Sequence, residues 1–109
     1  MDGNSGMKVV FITASSPDEG ARLAEALVAE RLAACVNRID GISSVYWWKG
    51  KMERAGESLL IAKTRGELVE RLVSRVKELH SYSVPEVIVL PIEAGNPEYL
   101  DWIAEETKG

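Results

Sequence analysis

From Met7 to Ala14 the chain reads Met-Lys-Val-Val-Phe-Ile-Thr-Ala, β-branched and almost continuously apolar, the pattern of a central strand covered on both faces. Ser16 follows as an N-cap, Pro17 takes the first helical position, and Glu19 stands three residues after the cap. The spacing predicts a capping box that opens a helix. Leu23, Ala24 and Leu27 form its buried stripe, and the polar turn at Glu30-Arg31-Leu32 closes it with Arg31 against the negative end of the helix dipole.

Ala34 to Trp48 is strand-like at both ends, with Asp40-Gly41 marking a bulge or bend. Lys49-Gly50 makes a tight turn into Lys51 to Thr64, whose Leu59-Leu60-Ile61-Ala62 centre is apolar on both faces. About fifteen residues at about 3.3 Å each give an arm of roughly 50 Å, far beyond the usual strand. Val45 and Trp47 alternate with Tyr46 and Trp48, so both faces of the tip carry apolar surface that a lone subunit would expose. Subunit contacts through this hairpin are the expected consequence.

Thr64 and Glu67 repeat the capping-box spacing, and Leu68, Val69, Leu72, Val73, Val76 and Leu79 follow at helical intervals. Beyond a loop from His80 to Pro85, Glu86 to Ile92 reads as another strand buried on both faces. Asn96 caps a last helix from Pro97, with Tyr99, Leu100 and Ile103 packing inward and Trp102 beside them. The order is βαββαβ plus a C-terminal helix: an α+β, ferredoxin-like single domain over residues 7–109, after a flexible leader over residues 1–6.

A chain of 109 residues supports one core. Its 46% apolar and 28% charged residues exclude a disordered chain, and no apolar run approaches the roughly 20 residues of a membrane span. The net charge of −4 and the scattered Lys and Arg argue against nucleic acid as a partner. The single cysteine permits no intrachain disulfide and suits a reducing compartment, and the leader has no export signal, so a cytoplasmic protein is expected.

No nucleophile elbow, P-loop, dinucleotide fingerprint or Cys/His metal spacing occurs, so neither an enzyme nor an organic cofactor is expected. One Cys and one His cannot build a soft-ligand metal site in one subunit, although copies could meet at an interface. Cys35, in an apolar run, reads as a small core residue, with a ligand or nucleophile as the alternative. His80, just past a helix C-terminus, reads as a dipole cap or as a ligand or acid-base group. Lys63 ends the apolar stretch Leu59 to Ala62 and calls for a carboxylate, with Glu57 and Glu86 as candidates, or for an anionic ligand. Tyr46, Trp47 and Trp48 read as interface packing or as the wall of a ligand cleft.

Several stretches together resemble the CutA family of divalent-cation tolerance proteins. They are Leu32-Ala33-Ala34-Cys35-Val36-Asn37, Ser44-Val45-Tyr46-Trp47-Trp48-Lys49-Gly50, Glu57 with Lys63-Thr64, His80-Ser81-Tyr82-Ser83-Val84-Pro85-Glu86-Val87, and Tyr99-Leu100-Asp101-Trp102-Ile103. The resemblance implies the ferredoxin-like fold with an extended hairpin, a homotrimer like the PII signalling proteins, and a role in metal-ion homeostasis. It also implies binding of Cu(II) or another divalent cation, weakly or at subunit interfaces. Carried over by position, it makes Cys35, His80 and Glu86 candidate metal ligands. Its alternative is a PII-like signalling or scaffold trimer that binds a small anion at intersubunit clefts through Lys63, Tyr82, Trp48 and Glu57. Two positions depart from the family pattern: Ser81 stands where proline is usual, and Ser83 where an acidic residue is usual.

Overall fold

The opening apolar run forms β1 (Met7–Ala14) of a computed structural model that describes residues 6–108. The expected leader lies outside the described residues except for Gly6, whose carbonyl accepts a hydrogen bond from Gly66 N at 2.9 Å. Gly6 is therefore tied to the domain rather than free. The chain continues through α1 (Pro17–Ala29), β2 (Cys35–Trp48), β3 (Lys51–Arg65), α2 (Val69–Leu79), β4 (Val87–Pro91) and α3 (Pro97–Glu106). The four strands make one antiparallel sheet in the order β2-β3-β1-β4, the ferredoxin-like arrangement expected.

Alternation along the strands decides which residues meet the helices. Val10, Ile12 and Ala14 of β1 and Leu60 and Ala62 of β3 are sealed with Leu23 and Leu27 of α1 and Leu72 and Val76 of α2 in one core. The intervening residues point to the other face, which α1 and α2 leave open. The expectation of two-sided burial for β1 and for the segment at Glu86 is thereby corrected. Val9 and Phe11 are half-buried, while Ile88 and Leu90 of β4 remain 48% and 43% exposed. Two crossovers of one hand place both helices on the same side of the sheet.

The hairpin follows the sequence closely. The β2-β3 register slips between Ile39 and Ile42, where Gly41 has φ +77° and a Cβ would meet nothing within 4 Å, so the glycine serves the bulge's backbone rather than its packing. Lys49 and Gly50 both have positive φ, 50° and 78°, as a type I′ hairpin turn requires.

Three capping expectations change. Ser16 Oγ does accept from Glu19 N at 3.1 Å, but the Glu19 carboxylate reaches past Ser16 to Ser15, whose N and Oγ lie at 2.8 and 2.9 Å. Thr64 caps nothing: it belongs to β3, is fully buried, and donates through Oγ1 to Leu32 O at 2.7 Å. A 3-10 turn, Gly66–Leu68, leads into α2 in place of the expected cap. Arg31 takes φ 61° past the end of α1 and turns to α3, where Nη1 meets Glu106 O at 3.0 Å and Glu106 Oε1 at 2.9 Å. It serves the negative end of a different helix from the one expected, though for the same electrostatic reason. Asn96 caps α3 as expected, accepting from Glu98 N at 3.1 Å. Ile103 is fully buried, but Tyr99 stays 42% exposed against Trp102, the ring centroids 5.4 Å apart.

Candidate functional site

Between the hairpin and the loop joining α2 to β4 lies a cleft of about 590 Å³, lined by Thr13, Ser44, Tyr46, Trp48, Glu57 and Tyr82 among others. Its floor follows from strand alternation. Past the bulge, Ile42, Ser44, Tyr46 and Trp48 pair with Glu57, Ala55, Glu53 and Lys51, so Ser44, Tyr46, Trp48 and Glu57 share one face of the hairpin. The far wall is Tyr82 to Val84, with Glu86 beyond it.

That wall is held by a buried polar chain. Glu19, only 3% exposed, accepts from Ser15 N and Oγ and from Ser81 N at 2.8 Å. Burial alone would raise its pKa, but the Ser15 and Ser81 donors outweigh it and bring the carboxyl from 4.5 down to about 2. The charge therefore clasps the start of α1 to the residue after His80. His80 is buried as well: Nε2 lies 2.6 Å from Thr13 O and Nδ1 takes the Tyr82 N–H at 3.0 Å. A carbonyl only accepts and an amide N–H only donates, so the ring proton is on Nε2. Glu19 Oε1 stands 3.9 Å from Nδ1, and the His80 and Tyr82 rings are 4.8 Å apart.

Tyr82, so positioned, donates its hydroxyl to Glu57 Oε2 at 2.9 Å. Burial first, then the hydrogen bond to Glu57 and its charge, push the phenol up to about 12. Glu57 is itself 8% exposed, a carboxylate sunk into the cleft floor with a single neutral donor on it among the described residues.

The expected ligand-cleft set is thus mostly assembled: Tyr82, Trp48 and Glu57 line one cavity, and Glu86 joins them. Lys63 does not. It lies six residues along β3 from Glu57, about 20 Å at strand rise, opposite Cys35, and its Nζ donates to Asn37 Oδ1. Neither Glu57 nor Glu86 is its partner, and no carboxylate lies within 4 Å of it among the described residues. The candidate metal ligands are likewise separate. Cys35, half-buried, has its thiol 3.9 Å from Asn37 Oδ1 beside Tyr99, whose phenol is raised by burial first and then by Cys35. His80 has both ring nitrogens engaged within the chain, and Glu86 lies at the cleft. Among the described residues no three His, Cys, Asp or Glu converge as a metal site would need. Sequence reasoning missed Glu19 as the organiser of the loop. Its signal was present as the capping-box glutamate, read as local to α1.

An antiparallel four-stranded sheet with an overlong hairpin and two helices on one face defines a small α+β domain of ferredoxin-like topology. Residues 8–106 match the family model described as CutA1 divalent ion tolerance protein, and the chain belongs to that family. It is 50% identical over 100 residues to the "Protein CutA 1, chloroplastic" of Oryza sativa subsp. japonica, covering 92% of this chain and 56% of that one. It is 49% identical over 100 residues to the "Divalent-cation tolerance protein CutA" of Thermus thermophilus, covering 92% of this chain and 97% of that one. The structure of CutA1 from Oryza sativa superposes with a TM-score of 0.93 at 47% identity over 97% of each chain. The chain spans about half the length of the plant relatives it matches, 56% and 55%. Among the described residues no helix is long and apolar enough to cross a membrane.

Proposed function

We propose that this chain works as a homotrimeric divalent-cation tolerance protein, taking up copper or another divalent cation weakly and at subunit interfaces. The observation that carries the reading is the hairpin: Trp47, Val45 and Met52 at its tip are 74%, 58% and 55% exposed. The same chain leaves Ile39, Ile88 and Leu90 of the sheet 43–48% exposed. Apolar surface on this scale is what a neighbouring subunit covers. The family supports the cation, and its Thermus thermophilus member carries divalent-cation tolerance in its name.

The donor set bears on where such an ion sits. Cys35 is a half-buried soft donor beside Asn37 and Tyr99, His80 has no free nitrogen, and among the described residues these two and Glu86 do not gather into one metal cluster. Among its described residues one chain offers no closed site, so a soft-ligand site draws Cys35 from more than one subunit. The lone thiol supports a reducing compartment, the cytoplasm. The lack of an enzyme motif in the sequence supports binding without catalysis.

Native mass spectrometry with and without stoichiometric Cu(II) tests the reading on wild type, Cys35→Ser and His80→Ala. A trimer whose copper count falls in Cys35→Ser and holds in His80→Ala supports it. A monomer at micromolar concentration, or copper uptake indifferent to Cys35, sinks it.

A further inference from the structure

The cleft carries charge that the interface-metal reading does not use. Its lining includes two carboxylates, Glu57 and Glu86, and no Lys or Arg. Glu57 is 8% exposed, and only its Oε2 receives a donor, the Tyr82 hydroxyl. Its other oxygen takes no hydrogen bond from any described residue and is not sealed off, so it opens into the cavity. A buried carboxylate without a counter-ion is a costly arrangement that a bound cation relieves. The same cavity is lined by the aromatic side chains of Tyr46, Trp48 and Tyr82. Lys49 Nζ, from outside the cleft, already lies 5.8 Å from the Trp48 ring centroid, within the range for a cation on an aromatic face.

We propose that this cleft binds a small organic cation bearing N–H donors, an alkylammonium or a guanidinium. Its N–H meets the open oxygen of Glu57, its charge is shared with Glu86, and its carbon frame lies against Tyr46 and Trp48. The lining decides against the other two ligand classes. A divalent metal would find two carboxylates but, among the described residues, no third acidic, His or Cys donor gathered with them, and the aromatic walls would give a hydrated ion nothing. An anion would meet two negative charges, with Lys63 about 20 Å away along β3. The site uses no Cys35, so its test is separate from the copper count, and it rests on the proposed assembly only in that a neighbouring subunit on the hairpin leaves this cleft open.

The test is a tryptophan-fluorescence titration of the full chain with n-butylammonium chloride and with methylguanidinium chloride, against sodium chloride at equal ionic strength. Tetramethylammonium, which has no N–H, manganese(II) chloride and sodium phosphate are run beside them. Both N–H cations are expected to saturate, at least about tenfold more tightly than tetramethylammonium, and to weaken at least about tenfold in Glu57→Gln. Glu86→Gln, at an exposed position, is expected to weaken them about threefold, and it carries the test alone if circular dichroism finds Glu57→Gln unfolded. Absence of saturation, binding indifferent to the folded carboxamide variants, or preferential binding of manganese(II) or phosphate overturns the proposal. Copper counts in the Cys35→Ser comparison are unaffected by any of these outcomes and judge the metal reading separately.

Discussion

Replacing Glu19 by Gln tests whether one buried charge clasps α1 to the cleft wall. The carboxylate sits 3% exposed, accepts three hydrogen bonds from Ser15 and Ser81, and has its pKa brought from 4.5 to about 2. That fall corresponds to about 3 kcal/mol of stability in the ionised form. The folded pKa is depressed, so the contribution is fully present above about pH 5 and is lost as pH falls from 4.5 toward 2. Glu19→Gln removes the charge and turns an amide NH₂ toward groups that are themselves donors. The variant is therefore expected to be less stable than wild type by about 3 kcal/mol at pH 7, with the gap closing toward about pH 2.5. Urea unfolding followed by circular dichroism at about pH 7, 5, 4 and 2.5 measures it, with both proteins at one protomer concentration so that assembly does not enter the difference. Comparing the gap rather than the absolute values cancels the acid titration of the other carboxylates. A gap that stays constant across that pH range would show that the loss is one of packing and would refute the electrostatic account.

Ser81→Pro deletes the N–H that meets Glu19 at 2.8 Å, so the acid unfolding midpoint is expected to rise and stability at pH 7 to fall by about 1–2 kcal/mol. Tyr82→Phe leaves Glu57 without its one donor and is expected to cost about 1–3 kcal/mol at neutral pH in the same urea assay. A raised phenol pKa stabilises the fold fully below pH 10, and that stability is lost as pH rises through about 12. The variant should therefore also lack the latest step in an ultraviolet phenolate titration. Trp47→Ser removes a side chain 74% exposed at the hairpin tip, and sedimentation equilibrium is expected to show assembly weakened about 100-fold with little change in the circular dichroism spectrum.

Sequence periodicity exposed the fold because each strand and helix carries its signal locally. The bulge at Asp40-Gly41, the Lys49-Gly50 turn and the apolar positions of α2 at Leu72 and Val76 all lie where the pattern placed them. What local signals cannot carry is the partner chosen across the fold. Thr64 and Glu67 have capping-box spacing, yet β3 pairing with β1 extends through Arg65 and claims Thr64 for the sheet. Arg31 has the charge of a C-cap, yet the helix end it reaches is α3, seventy-five residues on.

The cleft divides along the same line. Glu57 was legible as a carboxylate and Lys63 as a cation near the end of one strand, and pairing them by sign was the natural reading. Both lie on the same face of β3, because six residues is an even step in a period of two. A shared face is not a shared site when strand rise separates them by about 20 Å. The bulge at Gly41 restores the β2-β3 alignment one step out of register, which sets Tyr46 and Trp48 on Glu57's face while Cys35 and Asn37 meet Lys63 before it. The bulge thus selects which side chains share Glu57's face, Tyr46 and Trp48 rather than Val45 and Trp47, while strand rise alone keeps Lys63 out of the cleft, and the two act together to leave its lining with carboxylates and rings but no Lys or Arg.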